Sequence, residues 1–255
     1  MSQDKKKRID KILGNMGYGS RSEIKKMVKQ GRVTLNGCVV KDSGIQCLPQ
    51  SDILEVDGEA VRYREFIYLM MHKPQGVISA TEDLREKTVI DLIPDEYLIF
   101  EPFPVGRLDK DTEGLLLLTN DGQLAHDLLS PRKHVPKTYV ADCIGHIGDD
   151  VVAKFKEGVE LDDGYVTLPA SLQVLEIKEM AEGERSSRIS LTISEGKFHQ
   201  VKRMFESVGS KVTYLKRVSM GPLKLDESLP IGSVRELTDT ELQALLDHKK
   251  QDKLR

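Results

Sequence analysis

A chain of 255 residues with 39% hydrophobic content and a net charge of −3 can fill one large core, or a large core and a small one, and two domains are expected. Cys38, Cys47 and Cys143 form no CxxC pair, and His72, His126, His134, His146, His199 and His248 show no metal-ligand spacing, so reduced thiols, no metal and a cytoplasmic location are the reading. No apolar run approaches the roughly 18 residues a membrane span needs, and Met1 to Arg8 holds no apolar leader segment, so no membrane partner is expected.

Charge is uneven along the chain. Up to Asp42, eleven lysines and arginines stand against four acids, the pattern of a small positive module on a less basic body. Arg8 to about Leu13 predicts a short helix ending near Gly14, and Ser20-Arg21-Ser22-Glu23 is a capping-box signature for a second. In that second helix Ile24, Met27 and Val28 share one face, while Arg21, Lys25, Lys26 and Lys29 share the other. Gly31 stops it, and Val33 to Leu35, Asn36-Gly37 and Cys38 to Val40 predict a hairpin. Asp52 to Val56 with Asp57-Gly58 adds a strand and a turn. A lysine face of this kind is commonly just solvated. The order helix, basic helix, hairpin nevertheless resembles the S4 RNA-binding domain, and the resemblance implies RNA contacts at Arg8, Arg21, Lys25, Lys29 and Arg32.

Charged residues from Arg62 to Glu65 mark a boundary, giving domains 1–63 and 64–255. Phe66 to Met71 predicts a buried strand, and His72-Lys73-Pro74-Gln75-Gly76 a turn. A polar loop with Arg107, Asp109, Asp111 and Glu113 then runs into Leu115 to Leu118, a continuous apolar run typical of a buried strand, which Asn120-Asp121-Gly122 ends with turn residues. By spacing alone, a mixed-charge turn before a buried strand is an ordinary surface feature. Such a strand would, however, hold an upstream carboxylate at a fixed place, and an extended segment points Arg107 and Asp109 the same way. Leu124 to Leu129 predicts a short helix broken by Ser130-Pro131-Arg132, and Lys137 to Ala141 a strand. Ile189 to Ile193 is another strand, followed by Ser194 to Phe205 leading into a helix stopped by Gly209. Val212 to Leu215 and Val218 to Leu225 predict strands around Gly221-Pro222. Thr238-Asp239-Thr240-Glu241 caps a final helix with Leu242, Leu245 and Leu246, before a frayed basic tail from Lys249 to Arg255.

Gly106-Arg107-Leu108-Asp109, with Asp111-Thr112 and Gly114 to Gly122, resembles the signature of the RsuA-type pseudouridine synthases, which isomerise uridine in ribosomal RNA. Glu195-Gly196-Lys197-Phe198-His199-Gln200-Val201-Lys202-Arg203-Met204 is a second strong match; Lys73-Pro74-Gln75-Gly76 and Lys137-Thr138-Tyr139 are softer ones. The resemblance spans Arg8 to Leu246. It implies an α+β chain, with a small S4 domain followed by a catalytic domain built on a mainly antiparallel sheet with flanking helices. It further implies Asp109 as the catalytic carboxylate, Tyr139 stacked on the uracil, Val201 lining the uracil pocket, and Lys202 or its neighbour Arg203 paired with Asp109. Lys73 would border the cleft as an RNA contact. Arg107, two residues from Asp109, would hold a phosphate or the flipped nucleotide.

The chemistry suits these residues. Breaking the C1′–N1 bond, turning the base and joining C5 to C1′ involves no redox step, so no cofactor is expected, and a carboxylate kept ionised by a nearby cation can capture an electron-poor sugar carbon or assist proton removal. Whether it attacks the sugar, adds to the base or acts as a base is open. Ser130 to Tyr139, with Gly158 to Asp163 and Pro169-Ala170, resembles the small-subunit branch more closely, which implies 16S rRNA or an assembling small-subunit particle as partner of a monomeric enzyme. The alternatives are a synthase for 23S rRNA, a glycosidase using Asp109, Asp111 and Glu113, and a non-catalytic ribosome assembly factor. Sugar-binding platforms are poorly supplied by a chain with no Trp and 5% aromatics, and an assembly factor has no need of Asp109 or Tyr139.

Overall fold

Local chemistry starts and stops the elements of the N-terminal region in the computed structural model, which describes residues 5–179 and 185–251. After β1 (Lys7–Arg8) and α1 (Ile9–Asn15), α2 (Arg21–Lys29) opens at Ser20. The Ser20 N–H donates to the Glu23 carboxylate at 2.7 Å and the Ser20 hydroxyl accepts from the Glu23 N–H at 3.4 Å, so two helix-end donors are satisfied reciprocally. Strands β2 (Val33–Leu35) and β3 (Cys38–Val39) are joined through Asn36 and Gly37, both left-handed with φ of 51° and 78°, the type I′ geometry that fits strand twist. After β4 (Gln46–Cys47), which pairs with β1, the strands β5 (Leu54–Val56) and β6 (Glu59–Ala60) complete a four-stranded sheet in the order β3-β2-β5-β6. Ile9, Ile12 and Leu13 of α1, Ile24 and Val28 of α2, and Val33, Leu54 and Val56 of the sheet form one buried cluster. Helix α3 (Asp95–Leu98) belongs to this same unit, which comprises Met1–Ile67 and Pro94–Glu101; the β-carbon that Gly17 lacks would lie 3.5 Å from Ile99.

The second unit, Tyr68–Ile93 with Pro102–Arg255, contains β7 (Tyr68–Lys73), β8 (Phe103–Pro104), β9 (Glu113–Thr119), α4 (Gly122–Leu129), β10 (Lys137–Ile144), α5 (Asp149–Glu157), β11 (Ser171–Glu179), β12 (Arg185–Ile193), α6 (Gln200–Glu206), β13 (Lys211–Met220), β14 (Leu223–Lys224), β15 (Val234–Glu236) and α7 (Asp239–Gln251). Its sheet runs β11-β12-β10-β13-β9-β7-β15, with β14 on β13 and β8 on β9. The β9–β13 pair is parallel, and the other pairs of this sheet are antiparallel. The fold is thus the expected α+β arrangement. Leu115 to Leu118 lie on a central strand and are each at most 1% exposed, because both faces of β9 are covered. Leu115 and Leu117 meet Leu124 and Leu128 of α4 and Leu245 of α7. Burial of such a side chain stabilises by about 1.5–3 kcal/mol, which makes β9 a firm base for the loop before it.

Several regions depart from expectation. Strand β13 runs unbroken through the first expected strand, Val212 to Leu215, and into the second, Val218 to Leu225, whose end is β14 beyond Gly221; Lys216 and Arg217 interrupt the apolar pattern, yet Arg217 is buried. Helix α3 and strands β4 and β15 were not expected. Helix α5 and strand β11 lie where no element was expected, and β11, an edge strand, is largely exposed; its apolar alternation, Leu172 and Val174, then Leu175 and Ile177, slips by one residue where its pairing with β12 shifts between Val174 and Glu176. The basic tail runs on within α7 as far as Gln251, and its remainder lies outside the described residues. Among the described residues no helix is long and apolar enough to cross a membrane, and the three cysteines are free thiols.

Gly114 fixes where the loop meets the sheet. Its φ is +106°, and a β-carbon there would sit 2.2 Å from the carbonyl oxygen of Arg217 on β13. Gly114→Ala is therefore expected to destabilise the second unit by about 3 kcal/mol, read as a fall of roughly 6–12 °C in Tm by calorimetry. Gly122→Ala, where a β-carbon meets nothing within 4 Å, should leave Tm nearly unchanged.

Candidate active site

The loop between Val105 and Gly114 is held by its backbone rather than by its charges. Lys73, the last residue of β7, is fully buried, and its Nζ donates to the carbonyl oxygens of Pro74, Asp109 and Thr112 at 2.9, 3.1 and 3.0 Å. Ser79 Oγ donates to the Leu108 carbonyl and accepts from the Leu108 N–H, both at 3.0 Å. Leu108 is buried, so Arg107 and Asp109 on either side of it turn outward to line one cleft of about 410 Å³. Burial presses the Lys73 ammonium down to about 8 against the attraction of Asp109, Asp111 and Glu113. The expectation of an RNA contact at Lys73 is corrected: a side chain with no exposed surface, spent on three carbonyls, reaches no phosphate.

Opposite this loop, α6 begins after His199, which is left-handed with φ of 48° and whose ring stacks on Phe198 with centroids 3.8 Å apart. The turn before it is fastened by the buried Glu195 carboxylate, which accepts from Tyr165 Oη at 2.7 Å, the Leu168 N–H at 2.9 Å and Gln200 Nε2 at 2.7 Å. From the first turn of α6, Lys202 Nζ lies 3.2 Å from Asp109 Oδ2 and 2.6 Å from Asp111 Oδ1, while His199 Nε2 lies 3.6 Å from Asp109 Oδ1. Burial alone would raise the Asp111 carboxyl, but the hydrogen bond and charge of Lys202 outweigh it and hold Asp111 below the usual range. In turn, burial lowers the Lys202 ammonium, and its hydrogen bonds to Asp111 and Asp109 overcome that and raise it. Arg203 points elsewhere: it pairs with Asp162 and, at 2.7 Å, with Asp163.

Tyr139, 7% exposed on β10, and Val201, 5% exposed on α6, line the same cleft. Five residues singled out from the sequence, Arg107, Asp109, Tyr139, Val201 and Lys202, are thus brought together. Those missed include His199, which stands inside the same ten-residue motif as Val201 and Lys202, and Glu195, Arg217 and Tyr165, which also line the cleft. Tyr165 has no sequence signal that would have found it. In the N-terminal unit, Arg21, Lys25 and Lys29 are exposed on α2. Arg8 is engaged with Asp10 at 3.0 and 2.6 Å, and Arg32 with Asp57 at 2.8 and 2.5 Å.

The chain thus joins a helix-and-hairpin unit to a second unit whose central loop lines a charged cleft. The family model for RNA pseudouridylate synthase matches residues 67–207, and that for the S4 domain matches residues 7–53. An uncharacterized RNA pseudouridine synthase of Bacillus subtilis is 55% identical, over 93% of this chain and 98% of its own. The ribosomal large subunit pseudouridine synthase B of the same species is 40% identical over 95% and 98%, and the ribosomal small subunit pseudouridine synthase A of Yersinia pestis 38% identical over 93% and 97%. The chain belongs to the RNA pseudouridine synthases, in their RsuA-type branch, and is an isomerase.

Replacing Lys73 tests the anchoring of the loop. Lys73→Met keeps the volume but leaves three carbonyls without their donor, so a loss of about 2–4 kcal/mol is expected by denaturant unfolding. Turnover measured below the melting transition should fall more than tenfold, with RNA affinity unchanged.

Proposed function

We propose that this synthase converts a uridine of ribosomal RNA to pseudouridine, with Asp109 as the catalytic carboxylate, working as a cytoplasmic monomer without a cofactor. The observation that carries the reading is the ion pair of Asp109 with Lys202 in a cleft that Tyr139 and Val201 also line. The target uridine leaves its stack, and the ring of Tyr139 supports the detached base. Val201 packs against the pyrimidine, and Arg107 at the exposed rim takes the adjoining phosphate. Lys202 pairs with Asp109 and keeps it aimed. Asp109 then stabilises or captures the sugar carbon as the C1′–N1 bond opens. In the N-terminal unit, Arg21, Lys25 and Lys29 on α2, with Arg8 and Arg32, grip the RNA backbone.

For the target we propose 16S rRNA, on the wording of Ser130 to Tyr139, part of which lines the cleft. The second reading is 23S rRNA, favoured by the 40% identity to the large-subunit synthase B.

Tritium release from RNA labelled at uridine C5 counts turnover directly, because C5 loses its hydrogen only when it joins C1′. Release from small-subunit RNA or particles and none from large-subunit RNA is expected; the opposite pattern would keep the enzyme and change its target. Asp109→Asn should lower release at least 10³-fold while RNA affinity stays within about twofold, since one carboxylate adds little to a phosphate-dominated grip. Reversing Lys25 and Lys29 to glutamate should weaken binding and reduce the salt slope by about 2. An unaltered slope would move the grip away from α2.

A further inference from the structure

Two cations on the sheet strands of the cleft have no part in the reaction as proposed above. Arg217, on β13, is 2% exposed; its Nε donates to the Leu115 carbonyl at 2.8 Å, and its Nη2 is buried with no acceptor. Lys137, on β10, donates to the Val135 carbonyl at 3.0 Å. Neither forms an ion pair among the described residues. Lys202 is neutralised by Asp109 and Asp111, and Arg203 by Asp162 and Asp163, whereas Arg107 and Lys197, which also line the cleft, are exposed to solvent.

The unpaired cations stand beside the stacking position. Tyr139 and Arg217 are direct partners across β10 and β13, and Lys137 precedes Tyr139 by two residues on the same strand, hence on the same face. All three line the cleft. Burial, and next the charge of Arg217, press the Lys137 ammonium down to about 8, with no carboxylate opposing them. A buried guanidinium without a counter-ion is destabilising, so a fold that retains one in a cleft leaves a seat for negative charge.

We infer that Arg217, assisted by Lys137, receives the negative charge that the uracil acquires as it leaves the sugar. This rests on the synthase reading above. When the N1–C1′ bond breaks, its electron pair goes to N1 and spreads over the two carbonyl oxygens of the base; the Arg217 guanidinium, at the wall of the cleft, donates to one of them. When C5 bonds to C1′, that position gives up its proton, N1 gains one, and the base is neutral again. The cations form no covalent bond and are unchanged at the end. A backbone phosphate is the poorer fit, because a phosphodiester joined to nucleotides on both sides needs an access from solvent that a 2% exposed arginine does not offer.

The test compares single-turnover rates of wild type, Arg217→Gln, Arg217→Lys and Lys137→Met on the target RNA carrying either uridine or 5-fluorouridine, whose base is the better leaving group. Rates are read as loss of the target nucleoside in digests, with affinity measured in parallel. Arg217→Gln should be slowed about 10²–10³-fold, as for removal of one preorganised donor, Arg217→Lys less, and Lys137→Met about tenfold, all with affinity within about threefold. The deficits should shrink at least severalfold with 5-fluorouridine, which a purely structural defect would not do. If Arg217→Gln does not fold, Lys137→Met and its dependence on the leaving group decide the matter. Equal deficits on both substrates, wild-type rates in the variants, or lost affinity with an intact rate would overturn the inference. Absence of turnover by the wild type on any ribosomal RNA would instead overturn the synthase reading on which it rests.

Discussion

The ammonium of Lys73 is the point on which the site depends. It lies at the end of a buried strand and bonds to carbonyls 36 and 39 residues further on, so that the backbone carrying Asp109 cannot move without breaking charged hydrogen bonds in a buried place, where they are strongest. Gly114 acts at the other end of the loop. Its missing side chain lets β13 approach β9 in parallel, and Arg217 of β13 then returns a bond to the Leu115 carbonyl. The position of the carboxylate is thus set by main-chain bonds, leaving its own oxygens for Lys202 and for a substrate.

The two units treat positive charge in opposite ways. In the first, Lys25 and Lys29 are presented on the polar face of an amphipathic helix whose apolar face, Ile24 and Val28, fills the core. In the second, the cations that hold the catalytic loop and the start of α6 are bound: Lys73 by carbonyls, Lys202 by two carboxylates, Arg203 by two more. Exposed lysines act at a distance on a polyanion and lose that action as salt rises. Buried ones set geometry and local potential in a way salt reaches little. A net charge of −3 for the whole chain conceals this division.

Elements governed by neighbours in the sequence were legible in it. The capping box at Ser20, the Asn36-Gly37 hairpin and the four-leucine strand follow from short-range hydrogen bonding, backbone conformation and hydrophobicity, and each is present in the fold. What depends on distant partners was not. Lys73 in a Lys-Pro turn reads as a surface residue, because the carbonyls that hold it are invisible in the sequence. Arg217 reads as a break in a strand, since a lone charge in an apolar run normally marks exposure. Strand β11 is stabilised by pairing with β12 along an edge, with Leu175 and Ile177 left half exposed, and the register shift between Val174 and Glu176 breaks its apolar alternation into two short pieces. Within the cleft, Asp109, Val201 and Lys202 of the two strong motifs were found, while Glu195 and His199 of the second motif and Tyr165 of a connecting segment were not.

The carboxylates of the loop also bear on the kind of chemistry the cleft can perform. Hydrolysis of a glycosidic bond by a carboxylate pair requires one member to be protonated near neutral pH, which proteins achieve by raising its pKa in apolar surroundings. Here the environment acts the other way on Asp111, which Lys202 holds below the usual range. Glu113 is engaged too: it accepts the Tyr214 hydroxyl at 2.7 Å, and burial together with that bond raises the phenol above its ordinary value. Asp111 is therefore not prepared as a general acid, and the Glu113 carboxylate is occupied by Tyr214. An isomerisation needs none, because the base that leaves is the base that returns, and its transient charge calls for stationary cations at the wall of the cleft rather than for a proton from a second carboxyl group.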